Sequence, residues 1–185
     1  MPGFEEPASP LGLKLIMNVL ETDRLTLRKL DSALDAEFIF ELLNTPKFLQ
    51  YIGDRGVRSA DDASDFIEDR YRQSYRDHGY GLYAVELKTD NTAVGLCGFV
   101  KREHFEFPDL GFAFLPEYEG NGYGFESASA MMTYGREKHG FTEIHAITSL
   151  DNDVSGKLLE KLGFTLTGLI DSPEGEKLRL FANKP

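Results

Sequence analysis

A single cysteine, Cys97, is all the thiol this 185-residue chain contains. No intrachain disulfide can form, so the fold must hold itself with an apolar core, as proteins of the reducing cytoplasm do. Cys97 lies inside the run AVGLCGFV, where a small core residue is the expected role. Tryptophan is missing and histidine occurs only four times. No group of His, Cys and carboxylates has the spacing of metal ligands, and no metal is expected. No apolar run reaches the roughly 18–20 residues that cross a bilayer, so no membrane partner is expected either. Cations are the minority charge: 20 Lys and Arg against 31 Asp and Glu leave a net −11. That argues against a nucleic-acid partner, which needs a basic face, and is compatible with cationic acceptors such as amines.

The opening stretch MPGFEEPASPLGLKLIMN is acidic and Pro-rich and lacks the basic start of a signal peptide. Residues 1–18 are expected to form a poorly ordered or tag-like leader, with Met17 as an alternative start, and residues 19–185 a single domain.

Hydrophobic periodicity then divides the chain. LTLRKL (25–30) alternates as a strand. Asp31 and Ser32 cap a helix over 34–43, with Leu34, Phe38 and Leu42 on its inner face, and Thr45-Pro46 ends it. Ser59 and Asp62 open a second helix that buries Ala63, Phe66, Ile67 and Tyr71. LYAVELK (82–88) and AVGLCGFVK (93–101) flank a TDNT turn as a hairpin, and DLGFAFL (109–115) is a third consecutive strand. A long helix runs to about His139, with Phe125, Ala128, Met132 and Gly135 on one stripe. A strand at 142–149, a helix at 153–162 closed by Gly163, and two final strands complete the order β-α-α-β-β-β-α-β-α-β-β. This predicts an α+β fold with a mixed sheet.

The most telling stretch is PEYEGNGYGFESASAMM, residues 116–132. Gly120, Gly122 and Gly124 crowd one loop directly before a helix. Such a loop turns backbone N–H groups toward one point at the positive end of the helix dipole, a geometry that holds a pyrophosphate. A tight strand-to-helix turn without any ligand has the same look. The Walker pattern fails, because no Gly-Lys-Ser/Thr closes the loop. A dinucleotide loop would read G-x-G-x-x-G in the βαβ unit that opens a domain; here GNGYG follows three antiparallel-type strands, although Glu143 lies about where a ribose-binding acid would.

The loop Glu119-Gly120-Asn121-Gly122-Tyr123-Gly124 resembles the acyl-CoA loop of the GNAT superfamily of N-acetyltransferases, Gln/Arg-x-x-Gly-x-Gly/Ala. Both small positions match, and Glu119 departs from the first. Two further blocks carry the likeness. DLGFAFLPEYEGNGYGFES and SLDNDVSGKLLEKLGF are similar to the corresponding blocks of the RimJ/RimL-like ribosomal-protein acetyltransferase branch, and LETDRLTLR to its T-x-R-L-x-L-R opening. The resemblance spans roughly residues 20–183. It implies a mixed, mostly antiparallel central sheet with a splayed middle strand pair and helices on both faces, and an acetyl-CoA-dependent N-acetyltransferase acting on a primary amine. A catalytically silent CoA-binding protein is the alternative, and a monomer or homodimer is implied.

For individual residues the resemblance implies the following. Backbone N–H groups of Gly120, Asn121, Gly122, Tyr123 and Gly124 take the pyrophosphate, with a hydroxyl contact from Ser127. Pantetheine pairs with a bulged strand at Phe114 and Leu115, and an N–H near Phe114 polarises the acetyl carbonyl. Asn152 holds the pantetheine arm, and Lys157 reaches toward the adenosine 3′-phosphate. Relatives place a tyrosine acid where this chain has Leu159, so Ser155 is the substitute general acid. Asp109, Glu126 and His145 are the candidate bases. Freeing an α-amine of pKa ~8 at pH 7 costs about 1.4 kcal/mol, against about 4.6 kcal/mol for a lysine amine, so an indistinct base suits an α-amine better. The segments around 45–60 and 101–108, the latter with His104, are expected to line the acceptor side.

Overall fold

The computed structural model describes residues 17–185. The expected leader, residues 1–18, lies outside the described residues up to residue 16. Its last two positions do not behave as a leader: Met17 is buried and its carbonyl accepts from Lys29 N at 2.8 Å, while Asn18 begins a strand. That strand, β1 (Asn18–Glu21), turns through Thr22 and Asp23 into β2 (Leu25–Arg28). All four residues of β2 are buried. A buried cation there needs partners. Arg28 has them: both terminal nitrogens donate to Asp35 at 2.8 Å, and Nε donates to Glu86 at 2.8 Å.

Helix α1 (Ala36–Leu43) starts later than its periodicity suggested. Asp31 Oδ1 accepts the N–H groups of Ala33 and Leu34 at 2.9 Å each, holding those residues in a turn. The phase shifts accordingly: Leu34 is exposed, and Ala36, Ile39, Leu42 and Leu43 face the core. Pro46 ends this helix and starts another, α2 (Pro46–Tyr51), because Thr45 accepts from Phe48 N and proline suits a first helical turn. A loop was expected there.

Ser59 accepts from Asp62 N at 3.0 Å and opens α3 (Ala60–Phe66). A π-helical segment (Ile67–Arg72) follows, then α4 (Gln73–His78), closed by Gly79 at φ 76°. The strands β3 (Leu82–Leu87), β4 (Ala93–Val100) and β5 (Asp109–Phe114) form an antiparallel meander. Consecutive residues of β3 and β4 are buried, so both faces of the sheet are covered. After β5 come a 3-10 turn (Pro116–Tyr118), helix α5 (Tyr123–His139), β6 (Ile144–Ser149), α6 (Asp153–Lys161), and the hairpin β7 (Thr165–Asp171) and β8 (Lys177–Asn183).

One eight-stranded sheet results, in the order β1-β2-β3-β4-β5-β6-β8-β7. Every neighbouring pair is antiparallel except β5 and β6. That parallel pair is joined at a single position, Asp109 opposite His145. Beyond it the two strands splay. No helix among the described residues is long and apolar enough to cross a membrane.

Candidate active site at the strand splay

Two parallel strands that separate after one pair leave backbone donors unpaired in the middle of a sheet. Which ones are free follows from strand parity. Leu115 N donates to Val94 O at 2.9 Å, so its N–H points to β4. Residues alternate, and the N–H and C=O groups of Phe112 and Phe114 therefore face the opening. Pro108 lies on the same edge, and its carbonyl accepts from His145 N at 2.9 Å where the strands still meet.

Two expectations change here. The β4–β5 register is unbroken from Gly95–Phe114 to Val100–Asp109, so no bulge exposes the β5 edge; the divergence of β6 does. Leu115 offers no backbone pairing, because its N–H goes to Val94 and its carbonyl accepts from Tyr118 N at 3.0 Å. Phe112 and Phe114 are the available pair.

The glycine loop closes the open end. Gly120 and Gly122 have φ of 77° and 80°, conformations that L side chains rarely adopt. Gly122 is the N-cap of α5 and has no side chain to cap with, so the first-turn N–H groups of the helix face outward uncapped. Asn121 Nδ2 folds back on Tyr118 O and Glu119 O at 3.1 and 3.2 Å. Gly124 does a different job: a Cβ there would lie 3.1 Å from Leu158 Cδ2, so its bareness lets the start of α5 approach α6.

On the other wall, Asn152 caps α6, with Oδ1 accepting from Ser155 N at 3.2 Å. Its Nδ2 remains available as a donor. Ser155 is half-buried in the first turn, and Lys157 is exposed in the second. Arg179 steadies this wall from β8, donating to Asn152 O at 2.7 Å and to Thr148 Oγ1 at 3.0 Å. Gly156 leaves it room, since a Cβ would sit 3.1 Å from Arg179 Nη2.

Asp109 and His145 sit together at the vertex of the splay. Asp109 is buried; burial raises its pKa above the ordinary value, against the opposing pull of Arg102, whose Nε lies 2.6 Å from Oδ2. His145 Nε2 pairs with Glu143 Oε1 at 2.8 Å, and Phe107 packs on its ring at 5.0 Å. Asp109 Oδ1 and His145 Nδ1 are both buried without a hydrogen-bond partner. The Ile147 N–H also acts on the Asp109 carboxylate, and with Nε2 donating to Glu143 the other ring nitrogen of His145 is the acceptor.

Other candidates lie elsewhere. Ser127 is fully buried; its hydroxyl bonds Tyr123 O at 2.7 Å and packs at Cys97, turned away from any phosphate. Cys97 is likewise a core thiol, its pKa pushed up to about 12 by burial. The Glu126 carboxylate is given to the β1–β2 turn, bonded by Thr22 and Arg24, and does not face the vertex. Leu159, where a tyrosine acid would stand, is in the core, and His104 is exposed. Among the described residues no three His, Cys, Asp or Glu side chains gather as a metal site.

Three cations were missed in the sequence: Arg24, Arg179 and Lys47. Lys47 on α2 pairs with Glu119. That pair offsets the carboxylate where the loop pattern has Gln or Arg, and it sets α2 beside the loop. Only Arg24 lay in a motif already singled out, the Thr22-x-Arg24-Leu25 opening.

A mixed sheet splayed at its one parallel pair, with an uncapped helix start at the opening, can seat an extended ligand that ends in an anion. Residues 24–165 match the acetyltransferase (GNAT) domain family, and the chain belongs to it. It is an acyltransferase by that membership. Among curated relatives it is 29% identical over 154 residues to the uncharacterized N-acetyltransferase YoaA of Bacillus subtilis (strain 168), covering 82% of this chain and 85% of YoaA. A solved GNAT-family acetyltransferase from Bacillus anthracis superposes with a TM-score of 0.74 at 25% identity, covering 89% of this chain and 97% of that one. RimL, a ribosomal L7/L12 α-N-protein acetyltransferase solved in complex with coenzyme A, shares the fold at a TM-score of 0.68 and 17% identity, covering 90% of this chain and 97% of RimL. At that identity the likeness is one of fold.

Proposed function

We propose that the protein moves an acetyl group from acetyl-CoA directly to a primary amine. The observation that carries this is the splay itself. It offers a free backbone edge at Phe112 and Phe114, leading to the uncapped start of α5 on one side and the capped start of α6 on the other. An extended amide-bearing arm fits such an edge, and a pyrophosphate fits the helix start. RimL was solved with coenzyme A, which supports the choice of donor.

In this reading the N–H groups of residues 120–124 receive the pyrophosphate, Asn152 Nδ2 donates to the pantetheine arm, and exposed Lys157 is placed for the 3′-phosphate. The amine nitrogen attacks the thioester carbonyl carbon, and the Phe114 N–H stabilises the developing oxyanion. The C–S bond breaks as the tetrahedral intermediate collapses. Ser155 passes its proton to the departing sulfur and regains one from solvent water. The Asp109 carboxylate or the His145 imidazole, paired at the vertex, takes the proton that the amine loses.

A thiol-release assay over a panel of peptides and small amines tests this. Turnover that falls about 100-fold in Ser155→Ala, the scale of a lost general acid, with the acetyl-CoA KM little changed, supports it. An Asn152→Ala variant is expected to raise that KM instead. Tight CoA binding with no turnover on any amine would identify a silent CoA-binding protein.

A further inference from the structure

The glycine loop holds itself poorly. Gly122 has no side chain, a Cβ at Gly120 would meet nothing within 4 Å, and the Asn121 amide bonds only locally. What fixes the loop comes from about a hundred residues earlier in the chain. Arg24, at the β1–β2 turn, donates from Nη1 to Asn121 O at 2.9 Å and from Nε to Glu126 Oε1 at 2.8 Å. Its backbone N–H reaches Glu126 Oε2 at 3.2 Å, and Thr22 Oγ1 reaches the same oxygen at 2.6 Å. Its guanidinium carbon stands 4.6 Å from the centroid of the Tyr123 ring. At Gly122 the approach is so close that a Cβ would lie 3.3 Å from Nη2. One side chain thus touches residues 121, 122, 123 and 126.

The chemistry of Glu126 makes this contact matter. A carboxylate in the first turn of α5 suits the dipole of the empty helix. It repels a pyrophosphate arriving at the same helix end. Burial works against its ionisation, but the bonds from Thr22 and Arg24 prevail and keep its pKa below the ordinary value, so the charge is present and must be offset.

We infer that Arg24 is a positioning residue for the pyrophosphate loop: it holds residues 121–126 in their anion-receiving shape and cancels the Glu126 carboxylate, so that acetyl-CoA affinity depends on the Arg24–Glu126 pair. This rests on the acetyl-CoA reading of the site. The Arg24 side chain is 47% exposed, so thermal melts of the variants alongside the titrations show that the fold stands.

Calorimetric titration with CoA of the unchanged protein, Arg24→Met, Glu126→Gln and the double variant tests the inference. Arg24→Met is expected to weaken binding about fivefold, the upper end of what a half-exposed ion pair supplies. The double variant is expected to bind more tightly than Arg24→Met alone, because the unpaired carboxylate is gone. A contact that only holds the loop in shape leaves the double variant as weak as Arg24→Met, because either substitution already breaks it. In the ligand-free protein, amide exchange over residues 120–124 is expected to quicken in Arg24→Met. An Arg24→Met variant that binds CoA as the unchanged protein does, or a double variant as weak as Arg24→Met, overturns the inference. Failure of the unchanged protein to bind CoA sinks the acetyl-CoA reading itself, while the exchange experiment still reads whether Arg24 holds the loop.

Discussion

Asp109 shows how far a single residue's environment reaches. Its carboxyl is buried and its folded pKa lies above the ordinary aspartate value of 3.8. The sign of the linkage follows. The folded state binds this proton more tightly than the unfolded chain does. Stability from this group is therefore fully present below the ordinary value and is lost as pH rises through the raised one. Asp109→Asn imitates the protonated form. We expect the variant to melt with the unchanged protein at pH near 3 and above it at pH 7, in thermal melts across that range. A variant less stable at pH 7 would mean that the Arg102 pair outweighs burial. In the acetylation assay the same variant is expected to lose activity if Asp109 Oδ1 is the base, and to keep it if His145 Nδ1 is. Residue chemistry of this kind was only half legible in the sequence. Asp109, His145, Asn152 and Ser155 were named. Asp109 and His145 pair where β5 and β6 meet, while Asn152 and Ser155 stand at the start of the helix that follows β6. Ser127 and Glu126 were named on spacing, but which face of a helix a hydroxyl or carboxylate presents depends on neighbours. Cys97 and the Arg24–Thr22 turn decide those two cases, and both are distant in sequence.

At the scale of elements, the periodic segments could be read and the short ones could not. The meander β3–β5, the helix after the glycine loop and the closing hairpin all appear within a residue or two of their apolar patterns. Strand β1 and helix α2 were missed because four and six residues carry too little periodicity. The π-helical segment left no mark in the pattern either, since one inserted residue per turn still buries Ile67 and Tyr71. The splay was expected from resemblance, yet its physical origin differs from the bulge that was expected with it. Close packing of elements is also written in glycines, at positions where a Cβ would strike backbone. Gly98 on β4 is the sharpest example: a Cβ there would lie 2.1 Å from Gly81 O, in the segment entering β3. The backbone at Gly81 is pinned by its bond from Phe99 N at 3.1 Å, so it has little room to yield. Gly98→Ala is expected to destabilise the protein by about 3 kcal/mol, at the upper end of overpacking costs, measured by urea unfolding. A loss under about 0.5 kcal/mol would show that β3 and β4 can slide apart locally.

For the whole molecule, the proposed donor raises the question of how a protein of net charge −11 would receive a polyanion. Close to the site the answer is local. Backbone N–H groups at the start of α5 do not depend on net charge, and both loop carboxylates are paired, Glu119 with Lys47 and Glu126 with Arg24. Farther out the pairs cancel and the excess of acids remains, so an approaching CoA meets repulsion before it meets the loop. The two ranges respond differently to salt. The screening length shrinks from about 30 Å at 0.01 M to about 8 Å at 0.15 M, which removes the distant repulsion while leaving contacts at 3 Å largely intact. The association rate of CoA is therefore expected to rise as salt increases over that interval, opposite to the behaviour of a basic anion binder. Stopped-flow association at several ionic strengths measures it. A rate that falls with salt would mean that Lys47, Arg24 and Lys157 command the field at the mouth of the splay, and that the net charge of the chain has no part in how the donor arrives.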